Sequence, residues 1–101
     1  MFSGGSYEDV ARWLANFLTS HAKRENPRAE VLLDAGDDRH GRTYGVRLRV
    51  GRRLGPVLEF AYREVADNRG TLAWCRALAE RTRAQVRELG SAAGAVARKP
   101  D

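Results

Sequence analysis

The sequence predicts a two-layer α+β sandwich of α-β-β-β-α order, in which a three-stranded antiparallel meander carries both helices on one face. Three observations lead there. Apolar residues follow a helical period from Tyr7 to His21, switch to strict alternation between Val31 and Tyr62, and return to a helical period from Leu72 to Leu89. Breaks rich in Gly, Asp and Pro separate these stretches. A chain of 101 residues, 43% hydrophobic and 31% charged, fills one domain and leaves no room for two.

Each element has a local reason. Ser6-Tyr7-Glu8-Asp9 puts a hydroxyl where it can accept from an orphan backbone N–H, and two carboxylates at the positive end of a helix dipole. Tyr7, Val10, Leu14, Phe17, Leu18 and His21 then fall within about 80° of one another at roughly 100° per residue, a stripe that needs a cover. Asn26-Pro27 ends this helix, because proline excludes the α region for the residue before it. Val31, Leu33 and Ala35 then alternate with Glu30, Leu32 and Asp34. Beyond the turn Gly36 to Gly41, Tyr44, Val46, Leu48 and Val50 point inward while Thr43, Gly45, Arg47 and Arg49 point outward.

After the break Gly51 to Pro56, Leu58, Phe60 and Tyr62 face inward and Val57, Glu59, Ala61 and Arg63 outward, which makes a third strand by the shortest connection. Residues 67–71 supply a turn and a cap for the second helix, whose apolar face is Leu72, Cys75, Leu78, Ala79, Thr82, Val86 and Leu89. Gly90 is the expected stop. The domain is therefore drawn over residues 1–90, with 91–101 a flexible tail or a frayed extension of the helix.

Composition narrows the function classes. No apolar run approaches the roughly 18 residues that span a bilayer, and Met1 to Ser6 lacks the cationic start and apolar core of an export signal, so no membrane association and a cytoplasmic location are expected. Cys75 is the single cysteine, which removes an internal disulfide and a cysteine-built zinc site; no cofactor is expected. The net charge of +5 is unevenly spread. Residues 1–40 hold five Lys/Arg and seven Asp/Glu (−2), residues 41–101 thirteen and six (+7), and no acid occurs from Arg39 to Leu58.

Four groups of residues are candidates for function. Trp13 and Trp74 sit about 80° and 100° from the centres of their helical stripes, positions that seal a core edge or enter a protein interface. Leu32 and Val57 are apolar on the outward face of the sheet, which another chain could cover. Arg42, Arg47, Arg49, Arg52 and Arg53 form a basic strand and turn. Alternation sets Arg47, Arg49 and Arg53 on the outward face, spaced to track phosphates or to pair with Glu30 or Glu59, and no outward aromatic accompanies them for base stacking. Asp37, Asp38 and His40, with Asp34, share one turn. Such groups can hold a divalent cation, but their spacing fits no calcium-loop or zinc-helix pattern and turn geometry alone explains them.

His21 and Cys75 read as packed residues rather than ligands, and neither a nucleophile elbow nor a phosphate loop is present, so no catalytic residue is identified. The element order is similar to that of the double-stranded-RNA-binding domain over residues 7–89. That family uses lysines at the opening of its second helix, where this chain has Trp74 and Cys75, and the turn between its first two strands is acidic here at Asp37 and Asp38. The binding chemistry is thus missing, and no family is assigned. The leading expectation is a small non-enzymatic protein-interaction domain that associates with itself, as a homodimer, or with another protein, through its open sheet face and Trp-edged helices. The alternative is polyanion or nucleic-acid binding through the arginines of residues 42–53. A metal-dependent enzyme using the Asp37, Asp38 and His40 turn comes third.

Overall fold

The computed structural model describes residues 5–97. Helix α1 spans Tyr7–Glu25, with Ser6 at its N-cap accepting from the Asp9 N–H at 3.0 Å and extended Asn26 at its C-cap. Strands β1 (Ala29–Asp34), β2 (Thr43–Val50), β3 (Arg53–Leu54) and β4 (Leu58–Ala61) form one antiparallel sheet. Strand β2 is its middle, with β1 along one side and β3 and β4 in line along the other. Helices α2 (Tyr62–Asn68) and α3 (Leu72–Ala97) complete the described chain.

The alternation read from the sequence is the one that folds. Tyr44, Val46, Leu48 and Val50 are buried under the helices, and the arginines between them are partly open to solvent. Val10, Leu14 and Leu18 of α1 meet Tyr44, Val46, Phe60, Val65 and Leu78 in one cluster. A second, at the other end of the sheet, joins Ala22, Ala29, Leu48 and Val50 to Val86 and Leu89. The fold is thus mixed α+β with its helices packed on the sheet, as periodicity requires. No described helix is long and apolar enough to cross a membrane.

Several local expectations are corrected. The third strand is two short pieces, and Tyr62 opens α2 rather than continuing a strand; Tyr62, Val65 and Ala66 stand at helical spacing, and the last two are buried. Arg53 does not share a face with Arg47 and Arg49. The turn Gly51-Arg52 has only two residues, with Gly51 at φ +61°, so Arg53 pairs directly with inward-facing Val50. Leu72 is 71% exposed and lies off the apolar face of α3. Gly90 does not stop that helix, which continues to Ala97. A Cβ on Gly90 would stand 3.3 Å from the Asn26 side chain, so the glycine marks close approach to the end of α1. Of the expected tail, residues 98–101 lie outside the described residues.

Candidate functional site

With α1 and α3 on the inner face, the outer face of the sheet is left without a helix over it. Its rows follow from the register. Glu30, Arg49 and Leu54 lie side by side, then Leu32 and Arg47 with Val57 next to them, then Asp34, Gly45 and Glu59. Leu32, Leu54 and Val57 are 40%, 44% and 48% exposed, and they account for three of the four large hydrophobic side chains exposed among the described residues. A groove of about 450 Å³ runs over this face between Leu32, Asp34, Arg39, Arg47 and Val57.

The charged side chains around that groove are already partnered. Arg39, from the short 3₁₀ turn Asp37–Arg39, lies across Gly45 with its side chain only 17% exposed. Its Nη1 donates to Glu59 Oε1 at 2.9 Å and to Thr43 Oγ1 at 3.0 Å, and its Nε donates to Asp34 Oδ2 at 3.0 Å. A Cβ on residue 45 would come within 2.2 Å of Arg39 Nη2, so only glycine leaves the seat this guanidinium occupies. The hydrogen bonds to Glu59, then to Asp34, raise the Arg39 pKa; in return Arg39, followed by the Gly36 N–H, holds the Asp34 carboxyl below its usual range. Arg49 pairs with Glu30, Nε to Oε1 at 3.1 Å, and Arg47 Nε donates to the Gly55 carbonyl at 3.0 Å. Three arginines and three carboxylates share the face, so its net charge is zero on a chain of +5.

The other candidates fall elsewhere. Trp13 and Trp74 stack on each other at 6.5 Å, Trp13 also stacks on Phe17 at 5.0 Å, and Trp74 Nε1 donates to Glu64 at 3.2 Å. Both are half-buried in this ladder, which ties α1 to α3. Arg42, Arg52 and Arg53 are exposed with no ion pair among the described residues, but Arg42 lies at one end of β2, an eight-residue strand about 27 Å long at ~3.4 Å per residue, and Arg52 and Arg53 lie at the other. The five arginines therefore do not converge on one patch. Asp37, Asp38 and His40 are exposed, His40 with φ +55°, and no three His, Cys, Asp or Glu side chains converge as cation ligands among the described residues.

His21 packs on Phe17 at 4.6 Å with its Nδ1 buried and without a hydrogen-bond partner among the described residues; burial, then Arg24 and Arg83, push its pKa down, which favours the neutral ring. The Cys75 thiol donates to the Arg69 carbonyl at 3.4 Å, and burial raises its pKa, the reverse of a reactive thiolate.

Two features escaped the sequence reading. Leu54 belongs to the open face because the tight turn puts it opposite Arg49. Arg39 bridges β1 to β4, and an isolated glycine inside the strand pattern, Gly45, was the signal for it. Comparison of the chain with protein-family models, with curated proteins and with solved structures found no match.

Proposed function

We propose that this chain is a non-enzymatic protein-interaction domain that associates with itself, and that its binding surface is the open side of the sheet around Leu32 and Val57. One observation carries the reading: three large apolar side chains share a face on which Arg39 and Arg49 are held by its own carboxylates and Arg47 by the Gly55 carbonyl. A neutral, partly apolar patch is where two copies of a +5 chain approach with least repulsion. The same pairing weighs against a polyanion surface, since Arg49 would have to leave Glu30 to reach a phosphate. The tryptophans support the fold, and the binding role passes to the sheet.

The test is molecular mass in solution by sedimentation over micromolar to millimolar concentration. The wild type is expected to dimerise with concentration. Leu32→Glu with Val57→Glu is expected to stay monomeric with unchanged far-UV circular dichroism, and Arg42→Ala with Arg52→Ala and Arg53→Ala to dimerise like the wild type. A wild type that remains monomeric throughout overturns the reading. Duplex nucleic acid bound with a steep salt dependence would replace it with the polyanion alternative.

A further inference from the structure

We infer that the second copy joins through the free edge of β1, antiparallel to itself about a twofold axis at Leu32, so that two sheets become one. This rests on the self-association proposed above and narrows its surface to the Leu32 side of the sheet, leaving Leu54 and Val57, across β2, outside the seam. Only some of the backbone groups of β1 are in use. Leu48 accepts the Gly55 N–H, so the backbone of Leu48, and by alternation of Tyr44, Val46 and Val50, faces β3 and β4. Gly45, Arg47 and Arg49 therefore face β1, where their partners are Asp34, Leu32 and Glu30. What remains without a partner among the described residues on the outer side of β1 is the N–H and C=O of Val31 and of Leu33. Ala29, next along the same side, is closed: its N–H donates to the Asn26 carbonyl at 2.9 Å, and its own carbonyl accepts from Lys23 Nζ at 2.9 Å.

A strand edge with evenly spaced unpaired groups is a template for another strand. Pairing Val31 with Leu33 of the second copy, and Leu33 with its Val31, satisfies all four groups and sets the two Leu32 side chains against each other on the outer face. Leu32 is the most central exposed apolar residue of β1, and this is the pairing that covers it with its twin. On the inner face Val31 and Leu33 point into the helix layer yet stay only half-buried, at the margin of the core; the same residues of the second copy complete their cover.

The helix above β1 fits the same axis. Trp13 and Phe17 turn towards α3, so at roughly 100° per residue Ala11, Ala15 and Thr19 lie on the opposite flank of α1. All three are half-buried, and their small side chains let a second α1 approach closely. Charge sets only a small barrier to a second copy here, because the seam avoids the strongly basic part of the chain. Residues 1–40, which supply α1 and β1, carry −2, whereas the remainder carries +7. The register does set Glu30 opposite Asp34 of the second copy. Each acid already has its own arginine, Arg49 and Arg39, which removes most of that repulsion.

A disulfide trap tests the register. Directly opposed residues that do not exchange backbone hydrogen bonds have Cα atoms about 4.5 Å apart, inside the range a disulfide spans. In a Cys75→Ser background, Leu32→Cys is expected to give a covalent dimer under mild oxidation at least about tenfold faster than Val57→Cys, and reduction is expected to release it. Sedimentation of the unmodified chain is run beside it. A dimer that links through Val57→Cys, or through neither position, overturns strand pairing and leaves self-association standing. A chain that stays monomeric overturns both. Amide hydrogen exchange at Val31 and Leu33 gives a second readout that needs no substitution: slowing at dimerising concentrations is expected, and rates independent of concentration contradict the pairing.

Discussion

Strand β1 runs six residues without interruption along one side of the sheet, while the other side is assembled from a two-residue strand and a four-residue strand. Between the pairs Val46–Leu58 and Arg49–Leu54, β2 has two residues and its neighbour has three, Gly55, Pro56 and Val57. An extra residue of this kind twists a strand and leaves part of it unpaired, and a proline there removes a donor. The chain then leaves the sheet altogether as α2. One edge is thus protected by being broken, and the other is protected only at its start, where Lys23 covers Ala29. Two edges of one sheet, sharing β2, differ in whether they can accept a further strand. The regular edge is the one open to a partner, because ordinary stability needs no long, unbroken edge.

The largest expected effect comes from the strand both edges share. Leu48 is 1% exposed in β2, and Leu48→Ala should cost about 2–5 kcal/mol, a fall in melting temperature of at least about 8 °C for a domain this size. Both edges lose their support together, which a calorimetric scan checks as one transition shifted down. A variant that melted in two steps would show the edges to be independent.

Next in size is a contrast between the edges themselves. Leu32→Glu on β1 should weaken self-association by at least about tenfold, about 1.4 kcal/mol, because a charge then faces its own copy. Leu54→Glu, equally exposed on the broken edge, should leave it unchanged. Sedimentation equilibrium on the pair decides, and equal effects would erase the distinction drawn between the two edges.

How far these edges were legible in the sequence depended on the range of the interaction. Alternation through Tyr44, Val46 and Leu48 is a local signal, and it set the correct inward face. Pro56 is a local signal for a break, and the strand does break there. Tyr62 is ambiguous in sequence because it continues the alternation of Leu58 and Phe60, and the first turn of a helix can turn it inward just as a strand would; only Val65 and Ala66 beyond it carry the helical spacing. The position of Arg53 depended on the length of a turn, which composition does not fix. Of the candidate site, Leu32 and Val57 were visible as outward apolar residues, but the Arg39 bridge was not. Its partners Asp34 and Glu59 lie 5 and 20 residues away and meet only because the register sets them on either side of Gly45.

Among the described residues that bridge is the one side-chain polar tie between β1 and β4, and Gly45→Ala should cut it. The new Cβ would displace the guanidinium, which is the end of a flexible side chain, so the fold should survive with a melting temperature lower by only about 4 °C. The Asp34 pKa should rise towards the usual carboxylate value, read by carbon-detected NMR titration. An unchanged Asp34 titration would mean that Arg39 keeps both partners from another position.

Acid should expose the same tie with the smallest effect. The folded Asp34 pKa is lowered, first by the hydrogen bond from Arg39 and then by the Gly36 N–H. Under acid the unfolded chain therefore takes up its proton at this site before the folded one does. The contribution is complete above the ordinary aspartate value of about 3.9 and disappears as pH falls through the lower folded value. Glu25, lowered by its hydrogen bond to Arg87 where α1 meets α3, follows the same sign and provides a reference away from both edges. Asp34→Asn should flatten the decline in melting temperature below about pH 4, and Glu25→Gln should flatten it independently, so that the two effects add. Were Asp34→Asn to leave the acid limb unchanged, Glu59 alone would be holding Arg39, and the open edge would have no charged link to the broken one across Gly45.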